Sequence, residues 1–251
     1  MAKTVNEYAR YTKADAPVKQ RIIGLSVGEP GSRKTSFWLE APGPIVIFSL
    51  DKGLEGVVER YQEHKDIYVS EYEWSPTSDL GQDEAIELRD KFTEDFEHAI
   101  QNARTVIWDK ENDIWEMFRY AEFGAPNDAP RNYPALNQRY RRLINMPKSL
   151  DINFGLIEGM KDEWGTKVNK KTGAQGAAST GNRIRAGFGE LDGLVHLVLG
   201  HSGVSPDTWG LHVGKARGPG GHEIAGQDFQ GLTFGELAQL VFPESSEGDW
   251  V

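Results

Sequence analysis

Residues 21–41, RIIGLSVGEPGSRKTSFWLEA, constrain the fold more than any other stretch. RIIGLSV is a short apolar run ended by Gly28, the pattern of a buried strand, and TSFWLEA reads as a helix stopped by Pro42-Gly43-Pro44. Between them Gly28, Lys34 and Thr35 stand at the spacing of the phosphate-binding pattern G-x-x-x-x-G-K-[ST], with Arg33 in place of the second glycine. A turn from a buried strand into a helix aims backbone N–H groups at an anion, aided by the helix dipole. Gly28, Glu29, Pro30, Gly31, Ser32, Arg33, Lys34, Thr35 and Ser36 are therefore the candidate cradle for a nucleotide. Lys34 would reach the outer phosphates and the Thr35 hydroxyl would ligate Mg²⁺.

Arg33 is the departure. Glycine at that place tolerates an awkward backbone and leaves room for phosphate. Arginine fits only if its backbone angles suit a side-chain residue and its guanidinium swings outward. Three outcomes are open: binding with Arg33 turned away, binding with Arg33 adding a cation to the phosphates, or a degraded site that binds weakly.

RTVIWD, residues 104–109, is a further buried strand ending at Asp109, the pattern of a Walker B strand whose carboxylate holds Mg²⁺ through water. Many strands end in aspartate, so the strand acquires meaning only beside the phosphate loop. Asp51 ends the strand PIVIFSL in FSLDKGLEG, where a carboxylate would orient an attacking water. Glu55 is its rival, and helix capping is the plain alternative for both.

Along the rest of the chain, strands over 44–50, 67–74 and 152–160 alternate with helices over 51–64, 83–103, 112–123 and 135–150. Residues 191–202 and 208–218 read as a closing hairpin and 232–243 as a final helix. Strands separated by helices predict an α/β fold: a mostly parallel sheet flanked by helices, with the late strand pair as an antiparallel edge. One domain spans 21–243, preceded by a polar lead-in over 1–20 and followed by a flexible acidic tail over 244–251.

The 251-residue chain carries a net charge of −10, which argues against a general nucleic-acid-coating surface. Its charge is uneven. Lys161, Lys167, Lys170, Lys171, Arg183 and Arg185 face only Asp162 and Glu163 within 161–185. Most of that stretch, WGTKVNKKTGAQGAASTGNRIRAGFG over 164–189, lacks an apolar period and reads as a long mobile loop. Its cations would neutralise phosphates in a salt-sensitive, sequence-independent way. Only Trp164 and Phe188 offer the aromatic platforms usual in single-strand binding. There are no cysteines, hence no disulfides and no thiolate metal site. The histidines show no metal-ligand spacing; His196 lies in an apolar strand, and Trp38, Trp108 and Trp115 read as core. No stretch has the apolar run of a signal peptide or the roughly 18 residues of a membrane span, so no membrane partner and a cytoplasmic location are expected.

In this order, phosphate loop, "LDKGLEG", "VIWD", "FGLIEGMK", basic loop and "LDGLVHLVLG", the chain resembles the RecA-like P-loop ATPase core, in particular the short phage-encoded nucleotide-binding and single-strand annealing type. The resemblance covers about residues 20–243. It implies ATP and Mg²⁺ at Lys34, Thr35 and Asp109, and a water-activating carboxylate at Asp51. It sets Glu158, with Gly159 after it, where the core carries a γ-phosphate-sensing polar residue, although neither is the usual amide or imidazole. The 161–185 loop matches the DNA-binding loop, which Lys167, Lys170, Lys171, Arg183 and Arg185 would serve. Lys161 would reach a neighbour's ATP across a ring or filament interface. From the residues themselves, Lys215 and Arg217 would join the basic surface or act in trans as an arginine finger; a charged hairpin end is their plain alternative. The function implied is an ATPase acting on single-stranded DNA in phage recombination or annealing, in the host cytoplasm. Arg33 and Glu158 also admit a catalytically muted P-loop protein with an assembly role. A small-molecule phosphotransferase, with the basic loop as lid, is the weaker alternative.

Overall fold

The computed structural model describes residues 19–50, 52–74, 80–124, 133–168, 175–205 and 208–250. An eight-stranded sheet organises them. In chain order its strands are β1 (Ile23–Gly28), β2 (Ile45–Ser49), β3 (Ile67–Glu71), β4 (Thr105–Asp109) and β5 (Asn153–Glu158), followed by β8 (Leu197–Ser205), β9 (Thr208–Ala216) and β10 (Asp228–Gln230). They lie in the order β10-β9-β8-β1-β5-β4-β2-β3. All pairings from β3 across to β8 are parallel, and β9 and β10 add an antiparallel edge. The fold is thus α/β, with a mostly parallel sheet flanked by helices. β1, β4 and β5 are buried along their whole length, which is why their sequences run apolar without alternation.

Helices α1 (Lys34–Leu39), α2 (Gln82–Asn102), α3 (Glu111–Phe123), α4 (Pro134–Asn145), α5 (Leu191–Leu194), α6 (Gly221–Ile224) and α7 (Phe234–Val241) complete the layers. Alternate side chains of β2, β4, β5 and β8 enter opposite cores. Val106 and Trp108 of β4 and Phe154 and Leu156 of β5 join Phe92, Phe96, Phe118 and Tyr140 from α2, α3 and α4. Ile107 and Ile157 enter the other layer with Phe37, Trp38, Phe234 and Trp250. Trp38 lies on a floor of glycine: a Cβ at Gly155 would come within 2.4 Å of its ring, and one at Gly24 within 3.2 Å. Its Nε1 donates to Ser26 Oγ at 2.9 Å. This packing fixes α1, and with it the loop that α1 follows.

Three stretches differ from what their sequences predict. The described residues within 164–189 are no structureless loop, because β6 (Met160–Val168) and β7 (Gln175–Arg185) form a separate antiparallel pair. Its residues are mostly exposed and polar, so the ladder forms without an apolar alternation to announce it. Residues 52–66 are turns with one 3-10 turn at Val58–Arg60 rather than a helix; Gly56 takes φ 73°. The acidic C-terminus, expected to trail freely, ends in a 3-10 turn at Glu247–Trp250, with Trp250 buried against Phe234 and Phe242.

Candidate nucleotide site

β1, β5 and β4 end along one edge of the sheet, and the candidate site is built there. β1 delivers Gly28 to the loop. That residue has to be glycine, because a Cβ would meet the His201 carbonyl oxygen at 2.4 Å and Ser32 Oγ at 2.6 Å. Gly31 (φ 77°) turns the chain, the Ser32 N–H donates to the Glu29 carbonyl at 3.2 Å, and Ser32 is buried. Arg33 then adopts φ 65°, ψ 19°. The backbone therefore keeps the left-handed conformation that glycine normally supplies, and the arginine adapts to it.

The guanidinium of Arg33 is turned toward β9, with its central carbon 3.7 Å from the centroid of the Trp209 ring. Glu40 also feels the positive charge of Arg33, which opposes the upward push of burial on that carboxyl.

Lys34 folds back over the loop. Its Nζ donates to the carbonyls of Gly28 (2.9 Å) and Glu29 (2.8 Å) and to Ser32 Oγ (3.3 Å). Burial lowers its pKa, and Asp109 and Glu29 partly offset that effect. One residue on, Thr35 Oγ1 donates to Asp109 Oδ2 at 3.2 Å, joining positions 74 residues apart. The hydroxyl and the carboxylate singled out for Mg²⁺ therefore meet. Among the described residues no group of three His, Asp or Glu side chains could hold a metal by itself. A phosphate-loop Mg²⁺ does not require one, since its remaining ligands are water and phosphate oxygens. Thr35 and Asp109 fit that chemistry.

Other predicted residues are placed differently. Asp51, Lys170 and Lys171 lie outside the described residues, and Lys167 is described only by its backbone, paired with Gly176. Glu158 closes β5 fully buried rather than facing the crevice. It shares this buried spot with Glu111, also fully buried: both carboxyl groups crowd Gly187, and Glu158 Oε1 has no hydrogen-bond partner among the described residues. Tyr140 Oη donates to Glu111 Oε1 at 2.7 Å, and the Phe188 N–H to Glu111 Oε2 at 3.2 Å. Arg185 Nη1 reaches Glu158 Oε2 at 3.3 Å and Asp192 Oδ1 at 3.1 Å. Burial, then the charge of Glu111, pushes Glu158 up to about 9, with Arg185 opposing. Burial also raises Glu111.

The two hairpin arginines are thus engaged within the chain. Arg183 donates to the Met160 carbonyl at 2.8 Å, reaches Glu29 of the phosphate loop at 3.3 Å and lies 3.5 Å from Asp162. Lys161 donates to the Ala186 carbonyl at 3.2 Å. Lys215 donates to the Val195 carbonyl at 2.8 Å and to that of Asp192. Register puts Ala216 beside Leu197 and His201 beside Gly28. Lys215 and Arg217 consequently sit at the opposite edge of the sheet from the loop of their own chain.

Sequence reasoning missed Glu111, Trp209 and the buried polar pair Ser26–His201 (Oγ to Nε2, 2.9 Å). Only Glu111 carried a signal, an acid two residues beyond Asp109 and in the first turn of α3. Trp209 pairs with Gly203 across the β8–β9 hairpin, and no local pattern links it to position 33. No protein-family model matches the chain, and no curated protein sequence matches it.

Proposed function

We propose that the chain binds ATP and Mg²⁺ on a RecA-like P-loop core and acts on single-stranded DNA. One observation carries this reading: Thr35 Oγ1 and Asp109 Oδ2 meet at 3.2 Å beside a lysine already seated on the loop carbonyls. Phosphates would draw Lys34 from those carbonyls. Mg²⁺, when bound, would neutralise phosphate charge, held by Thr35 and, through water, by Asp109. Asp51 follows β2, beside β4 in the sheet, and remains the proposed carboxylate for the attacking water.

The DNA surface is proposed on the β6–β7 hairpin. Trp164, 66% exposed, offers a stacking face, and Lys161 and Lys167 lie on the same strand. Lys170, Lys171, Arg183 and Arg185 complete the proposed basic set, although Arg183 and Arg185 would first have to leave acidic partners. Self-association into a ring or filament is proposed on the RecA-like reading, with Lys215 and Arg217, remote from the loop of their own chain, as candidates to act in trans once Lys215 leaves its carbonyl partners.

The full burial of Glu158 away from solvent, which pushes its carboxyl up to about 9, favours a second reading, in which ATP is bound but turned over poorly. A titration with fluorescent ATP, with and without Mg²⁺ and single-stranded DNA, tests the first. Lys34→Ala is expected to weaken ATP binding at least about tenfold. Equal affinity in wild type and Lys34→Ala would overturn the reading. Hydrolysis stimulated by single-stranded DNA would exclude the muted alternative.

A further inference from the structure

Arg33 occupies a glycine position with a glycine conformation. Without a restraint its long cation would have a nearby destination: the loop carbonyls of Gly28 and Glu29, on which Lys34 Nζ already sits. The restraint is Trp209. Its indole lies face-on to the guanidinium at 3.7 Å, a geometry that attracts a planar cation to the negative face of the ring. The backbone of the platform is anchored on both sides. Trp209 is on β9 in register with Gly203 of β8, and its carbonyl accepts from the Gly231 N–H at 2.9 Å. Gly203 itself packs on the outside of the loop, where a Cβ would sit 3.6 Å from the Gly31 carbonyl oxygen. The strand pair thus runs along the outer wall of the loop and sets the indole where Arg33 emerges.

We infer that Trp209 is a positioning residue for the phosphate loop: by holding the Arg33 guanidinium outside, it keeps the cradle open to the phosphates of a nucleotide. This rests on the nucleotide reading above and adds the residue that makes an arginine compatible with it. The arginine and the tryptophan form a coupled pair, in which losing the indole matters only while the arginine is present. Loss of the indole releases the cation toward the loop carbonyls, where it competes with Lys34 and blocks the phosphate position. Loss of the arginine leaves the indole with nothing to restrain.

The test is a fluorescent-ATP titration in Mg²⁺ on wild type, Trp209→Ala, Trp209→Phe, Arg33→Gly and the double variant Arg33→Gly/Trp209→Ala. Trp209→Ala should bind about tenfold more weakly, and Trp209→Phe, which keeps an aromatic face, should recover most of that loss. In the Arg33→Gly background Trp209→Ala should change nothing. Wild-type affinity in Trp209→Ala, or an equal loss with and without Arg33, would overturn the inference while leaving the nucleotide site standing; the second result would make Trp209 merely structural. If Trp209→Ala does not fold, Trp209→Leu, which keeps bulk but offers the guanidinium no aromatic face, should bind more weakly in the Arg33 background and not in the Arg33→Gly background; equal binding in both backgrounds would overturn the inference. Failure of both wild type and Arg33→Gly to bind would overturn the nucleotide reading itself, and this inference with it.

Discussion

The carboxyl pair Glu111–Glu158 shows how far one environment moves a side chain from its expected task. The position of Glu158 at the end of β5 suggested a group facing phosphate, yet it points into the protein against Glu111, Arg185 and the glycine at 187. A methyl group on Gly187 would sit 2.0 Å from Glu111 Oε2 and 2.4 Å from Glu158 Oε1. A carboxyl held above its ordinary range binds more protons in the native state than in the unfolded chain. Its contribution to stability is therefore complete in acid and is lost as pH climbs through about 9. The urea midpoint of the wild type should accordingly fall between about pH 6 and about pH 9. That of Glu158→Gln should fall less, since the amide stays neutral and can donate to Glu111. Parallel pH profiles for the two proteins would contradict the upward shift of Glu158.

At the scale of elements, the site depends on how α1 is seated. A six-residue helix has little stability of its own and is held by packing. Here the contact is Trp38 on Gly24 and Gly155. Gly155→Ala places a methyl 2.4 Å from the indole and should cost about 3 kcal/mol in chemical denaturation. Gly24→Ala, with 3.2 Å available, should cost clearly less. Equal costs would mean that the ring shifts freely. The same elements show what the sequence made legible. Strands buried on both faces announce themselves as apolar runs, so β1, β2, β4 and β5 and the long helices lie within a few residues of their expected places. The β6–β7 hairpin did not, because its cross-strand partners, such as Trp164 with Ser179 and Gly165 with Ala178, carry no apolar alternation. Residues 52–66 imitate a helix in composition but break at Gly56. In the candidate site, spacing singled out Lys34 and Thr35, the strand-end pattern singled out Asp109, and the fold brings Thr35 and Asp109 together. The partners of Arg33 and Glu158 come from strands and helices remote in sequence, which no local pattern encodes.

Across the whole molecule, the two core layers are closed at different places. The Phe37–Trp38 layer is completed by the last residues of the chain. Trp250 stacks on Phe242 with ring centroids 5.7 Å apart, its Nε1 donates to Ser245 Oγ at 2.8 Å, and Arg104 donates to the Asp249 carbonyl at 3.0 Å. Trp250→Ala should destabilise the fold by about 3 kcal/mol in urea unfolding; a change below about 0.5 kcal/mol, the size expected of an exposed position, would mean the indole is not docked in solution. The charge map also works at this scale. The basic residues of 161–185 stand on an otherwise strongly acidic chain, and two of their arginines are answered by Glu29 and Glu158 within it. Finally, the indole of Trp38 rests on bare backbone with no clearance for one more carbon, so the first turn of α1 has no track along which to slide. On the proposed reading, a phosphate at residues 28–35 would meet a backbone whose path was settled when the chain folded, with only the Lys34 side chain left to rearrange.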